Sequence, residues 1–179
     1  MSIINTLKDQ SAFGFTGKIN ILMKSNDQFL GVIFQEGGLI VDARYKNLEG
    51  CDALIQLIYH DVLSLHEFKL VIEPEIIENK NRVMEMSVET IKSIVENLYP
   101  RFEQASKLAP SKKYSLLLNS EIVVNQEDFS FDEFNLLCQI SDYPSINDLY
   151  EKSQFLEYEL TELLVQLRKK KAIKIFQNP

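Results

Sequence analysis

Leu30-Gly-Val-Ile-Phe-Gln-Glu-Gly-Gly-Leu-Ile-Val-Asp-Ala-Arg-Tyr45 reads as two strands folded back on a tight turn. Leu30, Val32 and Phe34 alternate with their neighbours, as do Leu39, Val41, Ala43 and Tyr45. A period of two places each set on one face of a sheet. Between the two runs lies Gln35-Glu-Gly-Gly38, and glycine tolerates the positive φ that a tight hairpin demands. The same alternation turns Ile40, Asp42 and Arg44 to the opposite, outward face of the third strand.

Upstream, Lys18–Met23 alternates in the same way, with Ile19, Ile21 and Met23 on one face. After Gly50 the period changes. Ala53, Leu54, Leu57, Ile58 and Val62 recur at three and four residues, the apolar stripe of a helix. Phe68–Ile72 is a last strand, stopped by Pro74, which cannot donate to a ladder. Residues 12–74 are therefore expected to form a small antiparallel sheet with one helix packed on it, preceded by a short helix around Ile3–Lys8. Gly17, Gly31, Gly37, Gly38 and Gly50 are expected to be structural, serving turns and close packing.

All six glycines lie within the first fifty residues, whereas all five prolines follow. The later chain is built on another plan. Val88, Ile91, Ile94, Val95, Leu98 and Phe102 mark a helix capped by Ser87, which Pro100 should end or kink near Tyr99. Ala109-Pro-Ser-Lys-Lys113 reads as a linker, dividing the chain into domains at 1–110 and 111–179. Tyr114–Leu118 and Ile122–Val124 read as two short strands. Ser130 and Glu133 then form a capping box, with Phe129 placed to staple to Phe134, and Phe134, Leu137, Cys138 and Ser141 continue at turn spacing. Shorter and longer helices follow at Ser145 (Ile146, Leu149, Tyr150) and at Leu156–Lys170, and Ala172–Phe176 alternates as a strand. Three helices and a strand follow the winged-helix order, so the fold class is α+β: a small antiparallel sheet with packed helices, then a winged-helix-like C-terminal domain.

The 179 residues carry 19 basic and 26 acidic side chains, for a net charge of −7 and a pI near 4.9. An acidic surface repels phosphate backbones. No secretory signal opens the sequence and no apolar run approaches the roughly 18 residues of a membrane span. A cytoplasmic protein without membrane insertion is expected. Cys51 and Cys138 lack Cys-x-x-Cys partners, which argues against a zinc knuckle or disulfide framework.

Phe15-Thr-Gly17-Lys-Ile19-Asn-Ile21, Gly31-Val-Ile33-Phe34, Gly37-Gly38-Leu-Ile-Val-Asp42-Ala43, Gly50, Ala53-Leu54 and Phe68-Lys-Leu70 together resemble the PATAN domain family, the PatA N-terminal-like domain of bacterial signalling proteins. The likeness covers roughly residues 1–75, and a winged-helix-like segment resembling Phe131–Phe176 follows in many relatives. It implies an interaction module, often beside a phosphoacceptor receiver domain and in some cases linked to motility, gliding or polarity. The length leaves no room for a receiver, so no phosphoacceptor Asp is expected. The shared positions Gly17, Gly31, Gly37, Asp42, Ala43 and Gly50 imply backbone geometry and packing rather than a catalytic set.

No catalytic, cofactor or metal residues are expected. Gly37-Gly38 belongs to no phosphate-binding motif. Cys51 sits near a helix N-terminus, but His60 is nine residues on, about 13 Å of helical rise. His60 and His66 lack the spacing that brings ligands together and are expected in a solvated loop. Asp132 and Glu133 suit the first turn of a helix dipole. The third C-terminal helix opens with Glu157, Glu159 and Glu162, which oppose a duplex, while Arg168-Lys-Lys-Lys171 lies at its other end. The expected function is a non-enzymatic bacterial signalling adaptor that docks a protein of a motility, polarity or two-component pathway. A winged-helix DNA-binding transcriptional regulator and a small-ligand sensor are the alternatives. Ile40, Asp42, Arg44 and Lys46 are the expected contact residues, for a partner or for a homodimer.

Overall fold

The computed structural model describes residues 2–125 and 128–177. The first helix, α1 (Ile3–Ala12), is capped by Ser2, whose Oγ accepts the Asn5 amide at 3.2 Å. It outruns the expected Ile3–Lys8 because Ala12 and its neighbours add no breaker before Gly14. Four antiparallel strands follow: β1 (Gly17–Met23), β2 (Phe29–Glu36), β3 (Leu39–Tyr45) and the two-residue β4 (Leu48–Glu49). After α2 (Gly50–Val62), β5 (Phe68–Pro74) returns beside β1, giving the order β4-β3-β2-β1-β5. Gly37 and Gly38 take φ of +58° and +86° and close the β2–β3 hairpin. Gly31 lies inside β2, not in a turn.

The chain divides into two compact units, residues 1–102 and 103–179. In the first, Ile19, Ile33 and Ala43 stand in register across β1, β2 and β3, each 1% exposed or less. They form the sheet's inner face. The helix on it is covered on every side along its middle: each residue from Ala53 to His60 is buried. The expected single stripe on α2 therefore understates its burial. Gln56 and His60, the polar side chains of that run, pair with each other at 2.9 Å. Tyr59 meets Phe102 edge-on with ring centroids 5.1 Å apart.

The alternation of β3 fails at one residue. Phe34 pairs with Asp42 but Gln35 pairs with Ile40, so Val41 is the extra residue of a β-bulge. The bulge turns Ile40 to the inner face, where it is 0% exposed. Val41 joins Val32, Phe34 and Ile77 in a small cluster on the other face.

Ser87 caps α3 (Val88–Leu108) by accepting the Thr90 amide at 3.1 Å. The helix does not end at Pro100 but continues through it. Pro100 and Glu96 both lie on the exposed side, so the carbonyl that proline leaves without a donor is open to solvent. The division between the two compact units falls inside α3, ahead of the Ala109–Lys113 stretch. Residues from both sides of that stretch belong to one unit: Leu108 and Pro110 line a cleft with Tyr114, Leu164 and Phe176.

In the second unit β6 (Tyr114–Leu118) leads to α4 (Ser120–Asn125), which replaces the expected strand at Ile122–Val124. The strand paired with β6 is instead β7 (Ile173–Gln177), antiparallel, with Leu116 opposite Ile175. Between them come α5 (Phe131–Asp142), α6 (Ile146–Lys152) and α7 (Glu157–Lys169). Leu136, Ile140, Leu149, Leu160, Leu167 and Ile173 anchor one shared core. The Leu116 amide also donates to Pro144 O at 2.8 Å, beside an isolated bridge between Ser115 and Ser145.

Candidate interaction surfaces

On the outer face of β3 the chain covers itself. Asp42, 1% exposed, accepts the Ala43 amide at 2.8 Å through Oδ1 and the Arg44 Nε at 3.2 Å through Oδ2. Arg44 Nη2 donates to Asn81 Oδ1 at 2.6 Å, and its guanidinium lies 5.7 Å from the Phe34 ring centroid. The segment carrying Asn81 is tied down further. Val83 and Met84 donate to Val41 O at 3.0 Å, and Ile40 and Met86 exchange main-chain bonds of 2.8 and 2.9 Å.

Arg82 also grips Glu36 with bonds of 2.6 and 2.5 Å, and that guanidinium holds the Glu36 carboxyl below the usual carboxylate range. The four expected contact residues thus separate. Ile40 and Asp42 are buried, Arg44 is half-covered, and Lys46 is exposed with its ammonium 5.2 Å from the Tyr45 ring centroid. The open charged strand face expected from strict alternation is corrected to a clasp: Asp42 orients Arg44, and Arg44 holds Asn81. Asn81, a polar side chain at the end of a single 3-10 turn (Asn79–Asn81), had no periodic signal to reveal it.

His60 is likewise not in a solvated loop. It is 1% exposed within α2, with the Tyr45 hydroxyl 3.3 Å from Nδ1 and Gln56 Nε2 2.9 Å from Nε2. Its ring meets that of His66, beyond the helix end, edge-on at 4.8 Å between centroids. Among the described residues, no group of three or more His, Cys, Asp or Glu side chains could hold a metal ion. Burial and the neighbouring Asp52 push the Cys51 thiol up, opposite to what a nucleophile needs.

In the second unit the capping box forms as read. Glu133 N donates to Ser130 Oγ at 3.2 Å, and Ser130 N to Glu133 Oε2 at 2.8 Å. Glu133 is buried, and burial alone would raise its pKa. Lys170, 2.7 Å away, and the Ser130 amide outweigh burial and hold it below the usual range. The inward stripe of α5 is Glu133, Leu136, Leu137 and Ile140. The expected stripe is therefore corrected by about one residue, because a carboxylate occupies its first core position. Phe129 packs against the core, while Phe131 and Phe134 are 77% and 55% exposed, and Cys138 is exposed one turn beyond. An open cleft of about 480 Å³ adds Arg168 and Ile175 to the lining named above.

Among the described residues, no helix is long and apolar enough to cross a membrane. The chain matches no family model, no curated protein and no solved structure.

Proposed function

We propose that this chain is a non-enzymatic, cytoplasmic adaptor of bacterial signalling that docks another protein through the outward face of α5. The observation that carries the reading is the pair Phe131 and Phe134, 77% and 55% exposed and one helical turn apart, with exposed Cys138 continuing the line. Aromatic rings on a helix face act as anchors when a partner removes them from water, at about 25 cal/mol per Å² of apolar surface. Exposed Asp132 and Asp142 supply polar groups around them.

The PATAN likeness of residues 1–75 supports the same role and favours a motility, polarity or two-component pathway. The β6–β7 pair and the Ser115–Ser145 bridge support a winged-helix-like reading of the second unit. One observation favours a DNA-binding regulator instead: Arg168, Lys169 and Lys171 are exposed together. Glu157 and Glu159 in the first turn of α7 oppose it, so it stands second.

Phe134→Ser tests the reading. An exposed substitution shifts stability by about 0.5 kcal/mol or less, yet it should weaken a partner recovered from native cytoplasm and reconstituted pure by about tenfold or more. Unchanged affinity defeats the α5 assignment. Salt-dependent duplex binding below about 1 µM promotes the regulator.

A further inference from the structure

β5 is the last strand of the five-stranded sheet and pairs on one side only, with β1. Its outward main-chain groups can be identified from the bonds at either end. The Lys24 amide donates to Glu67 O at 2.8 Å and the Glu75 amide to Thr16 O at 3.4 Å. In an antiparallel ladder alternate residues turn their N–H and C=O to the same neighbour. The register is unbroken between these ends, so Lys69, Val71 and Glu73 bond inward to β1. Phe68, Leu70 and Ile72 therefore direct both groups outward, and Pro74 directs a carbonyl alone. Such an unpaired row is a template for another strand.

We propose that the outer edge of β5 pairs antiparallel with the same edge of a second copy of this chain, about a two-fold axis at Val71. The sequence of the strand is complementary to itself in that register. Lys69 stands opposite Glu73 of the second copy, and Glu73 opposite Lys69, in non-hydrogen-bonded positions where side chains approach most closely. Leu70 and Ile72 face each other and exchange both main-chain bonds. Phe68 faces Pro74, whose missing N–H falls at the end of the ladder and whose carbonyl still accepts the Phe68 amide.

Neighbouring registers are worse. An axis at Leu70 sets Glu73 against Glu67, and one at Ile72 sets Pro74 against Leu70 near the centre. The charges are accessible. Lys69 and Glu73 side chains are 50% and 49% exposed, and Ile72 is 40% exposed. Their present ion pairs, Lys69 with Asp27 at 2.8 Å and Glu73 with Lys18 at 3.4 Å, are surface pairs that a second partner can share. Lys18 also has the closer Glu75 at 2.6 Å. A lysine usually guards an exposed edge against foreign strands, but here its own copy supplies the matching carboxylate.

The proposal does not rest on docking at α5, which belongs to the other unit. Sedimentation velocity on the full chain across about 1 to 200 µM should show a reversible monomer–dimer equilibrium. Ile72→Pro removes an outward N–H without touching the β1 ladder, and should weaken association by about tenfold or more. Lys69→Glu and Glu73→Lys should each weaken it similarly, by placing like charges opposite one another. Mixing these two variants should restore a heterodimer, and combining both changes in one chain should restore the homodimer. A wild-type chain that stays monomeric throughout overturns the proposal. So does a dimer whose strength ignores the charge reversals, a result that stands even if Ile72→Pro disturbs folding.

Discussion

A methyl group added at Gly37 meets no heavy atom within 4 Å, whereas one at Gly38 would stand 2.8 Å from the Ser11 carbonyl oxygen. Both residues hold positive φ, so each alanine substitution carries a backbone penalty of about 1–2 kcal/mol. Gly38→Ala adds a clash with main chain, and should lower the melting temperature clearly more than Gly37→Ala; equal losses would show that the turn relaxes away from α1. Glu133 yields a prediction in pH. Its pKa is depressed in the folded chain, so the ionised form stabilises the fold at neutral pH. That contribution is lost as pH falls below the ordinary carboxylate value of 4.5 and through the folded value. Glu133→Gln keeps the cap's shape without the charge. It should cost about 1 kcal/mol at pH 7, a modest figure because the partly exposed Lys170 is screened by solvent, and the gap should close in acid. Denaturation curves that stay equally separated from pH 7 to strongly acidic pH contradict this assignment.

The segment after β5 has only one 3-10 turn of its own, Asn79–Asn81, and is held to β3 by point contacts. Asn81→Ala removes the Arg44 bond and should speed amide exchange at Met84 and Met86, whose amides bond to Val41 and Ile40. The global melting temperature should move little, and unchanged exchange at those two amides would mean that the clasp holds nothing. This element also shows what the sequence can carry. The β2–β3 hairpin, the Ser130–Glu133 box and the Ile146-Leu149-Tyr150 face were legible because each rests on spacing within a few residues. The bulge at Val41 was not, since one extra residue reverses every face beyond it and leaves no local mark. Nor was the burial of α2 all round from Ala53 to His60: Gln56 and His60 look solvated until Tyr45 and each other are seen to satisfy them. Of the contact residues read from alternation, only Lys46 is fully exposed: the bulge turns Ile40 inward, while Asp42 and Arg44 keep the outer face and are covered by the Asn81–Met86 segment.

Across the whole first unit, the sheet combines neighbours close in sequence with one distant pair. β1, β2 and β3 form a meander through short connections, but β1 receives its second neighbour only when Ile72 reaches Ile19, with α2 intervening. Closing that longer loop costs more chain entropy before any contact repays it. The hairpin strands are therefore expected to assemble first and β5 to arrive late. In refolding pulse-labelling, ladder amides of β2 and β3 should gain protection before those of Lys69 and Val71; simultaneous protection would rule out this order. The strand proposed to carry self-association is then also the last piece of the sheet to be laid down. Until it docks, β1 itself offers a vacant edge, and a chain emerging from synthesis beside another copy has a kinetic window in which β5 can be exchanged rather than paired.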